Sequence, residues 1–203
     1  MKIFLIRHGE SEANAKNIHQ GQRVDAGLSE KGREQARKIA ERLKNEKIES
    51  IYSSDLKRAR ETAEEIAKQH GLKVIFDKRL REFDSGHFLK GKEDWQKWTD
   101  YRKKEAARLG IKQWEVIMPG GESESNHIER VKSFIEDAKK HKCNIAVIAH
   151  GGTNKLLFGI TGHTPMDKMY EQPQDNTCLN EFEFDEKSKT WKVHRINCTK
   201  HLD

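Results

Sequence analysis

The chain has 203 residues, 34% of them hydrophobic and 35% charged, with 39 Lys and Arg against 33 Asp and Glu and a net charge of +6. Its apolar residues fall in periodic blocks, which fits a folded domain with a charged surface and not a disordered chain. The charge excess is modest and no Lys/Arg run carries interleaved aromatics, so the balance favours a small anionic ligand over nucleic acid.

Residues 2–6 read as a first strand that breaks at Arg7-His8-Gly9-Glu10-Ser11. The apolar run is too short for a signal peptide, and no segment approaches a membrane span. An Arg and a His therefore stand where a strand gives way to a Gly-containing turn. In open α/β sheets that carboxyl edge is where ligands bind. Residues 29–45 read as a helix, with Ala36, Ile39, Ala40 and Leu43 at helical spacing. Residues 49–52 form a short strand. Residues 55–69 form a second helix with Asp55 as its cap, Leu56, Ala59, Ala63, Ile66 and Ala67 on one face, and Gly71 as its stop. Residues 73–76 make a further strand.

Residues 87–118 break this rhythm. They hold Phe88, Trp95, Trp98, Tyr101 and Trp114, with eight Lys or Arg against five Asp or Glu. They read as a helical insertion over the sheet edge. It reads as a surface helix whose aromatics pack on the body, which is compatible with a lid that selects substrates. Residues 123–141 are helical, with Ile128, Val131, Ile135 and Ala138 inward. Residues 144–149 are the most apolar strand and belong at the sheet centre. Gly151-Gly152 opens another helix, and residues 178–184 and 190–196 alternate as a late hairpin. This order predicts an α/β three-layer sandwich over 1–203. Its mostly parallel central sheet carries helices on both faces, and the insertion covers the active-site edge of a single domain.

Four segments then bring polar residues to strand or turn ends: Arg7-His8, Ser53-Ser54-Asp55 with Arg58, Arg81-Glu82-Phe83-Asp84, and His150-Gly151-Gly152. A parallel sheet gathers such ends at one edge. Two Arg forks and a second His can stabilise a phosphoryl group in flight without a metal, because its charge spreads over equatorial oxygens. A neutral His8 can attack phosphorus directly. One carboxyl group can protonate the leaving alkoxide and later accept a proton from water. Gly151-Gly152 at a helix start offers backbone N–H groups to the anion. Two other motifs fail. Gly86 to Lys92 fits GxxxxGK, but Glu93 stands where Mg²⁺ needs Ser or Thr. Ten His include no HExxH, so no metal and no cofactor is expected.

With these residues the chain resembles the histidine phosphatase superfamily, in its phosphoglycerate-mutase-like branch, over nearly its full length. The likeness extends to Pro119-Gly120-Gly121-Glu122-Ser123 and to residues 197–202. The resemblance implies that His8 is the phosphorylated nucleophile and that Arg7, Arg58 and His150 clamp the phosphate. It implies that Asn14 and Gln20 add secondary phosphate contacts, and that Glu82 is the proton donor. Gln20-Gly21-Gln22 offers two Gln, and Asn14 also suits a turn cap. The text around Glu82 resembles the phosphatases of the branch more than its glycolytic mutases, while Gly86-His87-Phe88 departs from that phosphatase pattern.

The function this implies is metal-independent hydrolysis of a small anionic phosphate ester through a phosphohistidine. Mutase-type phosphoryl transfer and non-catalytic binding of a phospho-ligand are the alternatives. Cys143, Cys178 and Cys198 are few, odd in number and lack CxxC spacing, which fits a reducing cytoplasm. No nucleic acid or membrane partner is expected; a second copy of the chain is a candidate partner.

Overall fold

The computed structural model describes residues 1–88, 94–165 and 168–203. Residues 89–93, with most of the GxxxxGK run, and the side chain of Trp95 lie outside them. Six strands form one sheet in the order β3-β2-β4-β1-β5-β6. They are β1 (Lys2–Arg7), β2 (Ser50–Ser53), β3 (Val74–Phe76), β4 (Ile145–Ala149), β5 (Leu179–Asp185) and β6 (Thr190–Cys198). β1 to β4 run parallel, and the hairpin β5-β6 adds antiparallel to β1. β4 is buried at every position and sits between β1 and β2, as its unbroken apolar run predicts.

Alternation along the two central strands divides the core. Ile3 and Leu5 of β1 and Ile145, Val147 and Ala149 of β4 join Val131, Phe134, Leu156 and Phe158 on one face. Phe4, Ile6, Ala146 and Ile148 join Ile39, Leu43, Ala63 and Ile66 on the other. The first face is covered by α5 (Glu124–Lys140) and α6 (Gly151–Ile160). The second is covered by α2 (Glu30–Leu43) and α3 (Lys57–His70). A short helix, α1 (Glu12–Ala15), follows the turn after β1.

The α2 helix packs hard on that turn. A Cβ at Gly32 would lie 1.9 Å from the Glu10 carbonyl oxygen, so only Gly allows the approach. Gly71 ends α3 at φ 63°, as the sequence predicts. Asp55 does not cap α3. The cap position is Leu56, which makes no side-chain bond, and the Asp55 carboxylate instead takes both arms of Arg81 at 2.6 Å. A bidentate guanidinium is the stronger partner.

Helix α4 (Asp94–Leu109) supplies the insertion. Its Trp98 and Tyr101 pack with Phe83, Phe88 and Met118. Trp114, on the segment that follows, is 48% exposed. No described helix is long and apolar enough to cross a membrane.

Candidate active site

The site lies at the carboxyl ends of β1 and β4, which are neighbours in the sheet. β1 delivers Arg7 and His8, and β4 delivers His150, whose ring centroid is 5.1 Å from that of His8. The start of α3 brings Arg58, the largest side chain that is fully buried.

The His8 imidazole is held at both nitrogens. Nδ1 lies 2.7 Å from the Gly9 carbonyl oxygen. A carbonyl only accepts, so Nδ1 carries the proton. Arg58 Nε–H donates to Nε2 at 3.2 Å, which leaves Nε2 the basic, unprotonated nitrogen. Burial first, then the charges of Arg58 and Arg7, hold the imidazole well below the usual histidine range. His8 is thus a neutral ring with one defined lone pair.

Arg58 donates its remaining arms to the carbonyls of Val24 at 3.3 Å and Gly21 at 2.8 Å. Burial lowers its pKa to about 10, so the guanidinium stays charged at neutral pH. Arg7 donates through Nη1 to the Gln174 carbonyl, and burial lowers its pKa as well. His150 is fully buried, with Nε2 2.9 Å from Ser54 Oγ. That hydroxyl already accepts the Leu56 N–H at 3.3 Å. It can give its own proton to Nε2, which puts the proton of the neutral imidazole on Nδ1. Burial, then Arg58, keeps this ring neutral too.

Arg7 Nε, His150 Nδ1 and Gln20 Oε1 are buried with no hydrogen-bond partner among the described residues. Uncompensated buried polar atoms cost about 1–3 kcal/mol each. Two of the three, Arg7 Nε and His150 Nδ1, are donors, and with the buried Arg58 guanidinium near them they suit a phosphoryl dianion.

Glu82 faces the first turn of α6. Its Oε2 accepts the Gly152 N–H at 2.9 Å and its Oε1 accepts the Phe83 N–H at 3.0 Å. The sequence offers both glycine N–H groups to the anion; the structure commits that of Gly152 to Glu82, the nearer carboxylate, and Gly151 lines the cavity. Asn14 is the third residue of a capping box on α1. Its Oδ1 takes the Ser11 N–H and hydroxyl at 3.2 and 3.0 Å, leaving Nδ2 as the group a ligand could use. Gln20 is buried, whereas Gln22 braces the Glu82 carbonyl at 2.9 Å from Nε2.

The cavity above this floor measures about 560 Å³ and is bounded by Arg7, Glu82, Phe83, Trp98, Lys155 and Gln174 among others. Several of its supports carry no sequence signal. Arg130 donates to the carbonyls of Arg79, Arg81 and Glu82 and to both oxygens of Glu122, and so sets the path of the Glu82 loop. Thr177 N–H bonds the Arg7 and His8 carbonyls at 3.1 and 3.3 Å, and Asn176 Nδ2 bonds the latter at 3.0 Å. Thr177 does so at φ 54°, a strained conformation for a β-branched residue. Lys155 was within reach of a helical reading, one turn beyond Gly151 on α6. Its ammonium donates to the Tyr170 carbonyl at 2.9 Å, and burial lowers its pKa. Among the described residues no group of three His, Cys, Asp or Glu could hold a metal ion.

The sequence model described as histidine phosphatase superfamily (branch 1) matches residues 3–199. The chain belongs to the histidine phosphatase superfamily. Phosphoserine phosphatase 1 of Hydrogenobacter thermophilus is 31% identical over 213 residues, covering 100% of this chain and 94% of that protein. Phosphoglycerate mutase-like protein 4 of Arabidopsis thaliana is 35% identical over 207 residues, covering 100% and 87%. The alpha-ribazole phosphatase of Shigella flexneri superposes with a TM-score of 0.82 at 24% identity, over 98% of this chain and 96% of that one, and shares the fold. Family and relatives together make this histidine phosphatase an enzyme of the phosphatase class.

Proposed function

We propose that residues 1–203 act as one domain that hydrolyses a small phosphate monoester without a metal, through a phosphohistidine on His8. The observation that carries this reading is the His8 ring, with Nδ1–H fixed on the Gly9 carbonyl and Nε2 unprotonated beside Arg58. Nε2 attacks phosphorus and the P–O bond to the alcohol breaks. The Glu82 carboxyl gives its proton to the departing oxygen. Water then attacks the phosphohistidine, the carboxylate takes the water's proton, and phosphate leaves with Nε2 free again.

Arg7, Arg58 and the His150 Nδ1–H neutralise the equatorial oxygens throughout. Asn14 Nδ2, Gln20 and Gly151 complete the phosphate contacts. The free thiols of Cys143, Cys178 and Cys198 support a reducing, cytoplasmic setting.

Turnover stopped in alkali, where a phosphoramidate survives, should add about 80 Da to the peptide that contains His8. The His8→Ala variant should lose both the adduct and the activity. Retention of more than a few per cent of the rate would remove His8 from the nucleophile role.

A further inference from the structure

We infer that the ester this site hydrolyses carries a flat, apolar ring on its alcohol portion, joined to the ester oxygen through aliphatic carbon. The inference rests on the His8 phosphatase reading and adds the substrate class. The atom that Glu82 protonates is the ester oxygen of the leaving alcohol. The carbon skeleton on that oxygen must therefore lie against the wall beside Glu82, and the next residue in that wall is Phe83.

The Phe83 ring stacks on His127 of α5 at 5.8 Å and 28°. It meets Trp98 of α4 edge-on at 6.4 Å and 83°. All three residues bound the cavity. Three rings from a loop and two helices so make one aromatic wall, and two of them are held by side chains beside them. The Arg102 guanidinium sits 4.3 Å from the Trp98 ring centre. That guanidinium is itself matched by Glu124 in a bidentate pair at 3.0 and 2.8 Å, so its charge is already answered within the protein. His127 Nε2 is fixed on Thr153 Oγ1 at 3.1 Å, and burial keeps the ring uncharged.

The ring faces of the wall are apolar, and the charges of Arg102 and Glu124, which also bound the cavity, answer each other. The volume of about 560 Å³ falls in the range that encloses a ring-bearing ligand. A phosphorylated three-carbon acid has no atoms to cover this wall and would leave it facing water. An aliphatic linker is required because a general acid such as Glu82 serves an alkoxide, whereas an aryl oxide leaves readily without one.

The test compares 3-phenylpropyl phosphate with propyl phosphate, which share a primary-alcohol leaving group and differ only in the ring, and adds phosphoserine as a third substrate. Wild-type kcat/KM should favour the phenyl ester over the propyl ester by about tenfold or more. Phe83→Ala should bring that ratio close to one, and Phe83→Leu, which keeps the apolar volume, should fall between. A wild-type ratio near one, or a preference for phosphoserine over the phenyl ester, with phosphorylated His8 still formed, would overturn the inference and leave the phosphatase reading in place. Absence of phosphorylated His8 with every ester would overturn both.

Discussion

Glu82 and Gly152 are fitted to each other at the mouth of the cavity. The Gly152 N–H holds Glu82 Oε2 at 2.9 Å, and a Cβ at position 152 would lie 2.4 Å from Oε1. The glycine is needed for close approach, and the approach aims the carboxyl group. Gly152→Ala should therefore displace the carboxyl group while sparing the His8 end. We expect kcat/KM on alkyl phosphates to fall about 10- to 100-fold, with a smaller loss on p-nitrophenyl phosphate, whose leaving group hardly needs a proton. Equal losses on both substrates would show that Glu82 is not the acid, and Asp84 would be tested next.

Positive charge at the site comes from the buried Arg58 and the half-buried Arg7, both near His8. Two guanidiniums can stabilise the transferring phosphoryl group without a divalent ion. Full activity should survive exhaustive dialysis against EDTA. Loss of activity that Mg²⁺ or Zn²⁺ restores would mean that the site has been misread.

The C-terminal end of β4, the parallel run of β1 to β4 and the gathering of Arg7, His8 and His150 at one sheet edge follow from apolar runs and glycine punctuation, which is why the sequence shows them. Asp55 looked like a helix cap because local spacing cannot reveal a bidentate partner such as Arg81, 26 residues on. The network of Arg130 with Glu122, and the hold of Asn176 and Thr177 on the His8 carbonyl, were invisible for the same reason. They join irregular loops to distant backbone, and no periodicity marks them. The aromatic wall lay between these cases: Trp98 was legible as an apolar residue of the insertion, but its pairing with Phe83 depends on how α4 docks.

The buried rings of His8, His127 and His150 set the acid limit of stability. Each is held well below the usual histidine range, with burial as the leading cause. The unfolded chain takes up these protons near pH 6.5, and the folded chain does so only at much lower pH. Stability is therefore fully present above pH 6.5 and lost as the pH falls below it. Each ring removes up to about 1.4 kcal/mol per pH unit in that window. Urea midpoints measured at pH 7.5 and pH 5.5 should show a marked drop at the lower value. An unchanged midpoint would mean that none of the three rings is held neutral in the folded state.

Hydrolysis and transfer diverge at the second step. Phosphoglycerate mutase-like protein 4 of Arabidopsis thaliana is 35% identical over 100% of this chain, and on the proposed reading hydrolysis and transfer share their first step, phosphorylation of His8. A mutase must then keep water from the phosphohistidine while the substrate turns, and must grip a second acidic group during the turn. Here two further cations that line the cavity are already committed: Arg102 is bound by Glu124, and the Lys155 ammonium donates to the Tyr170 carbonyl. The wall beyond Glu82 is aromatic and offers a returning carboxylate little to hold. We therefore expect rapid attack by water, with inorganic phosphate as the main product. The assay supplies 3-phosphoglycerate with catalytic 2,3-bisphosphoglycerate and follows isomer exchange and free phosphate together. Exchange much faster than phosphate release would overturn hydrolysis as the reaction and leave the His8 chemistry standing. Phe83→Ala sharpens the comparison, because removing a ring from the wall should not convert a hydrolase into a mutase. A rise in exchange relative to release in that variant would show that the wall, and not the commitment of Arg102 and Lys155, decides the outcome.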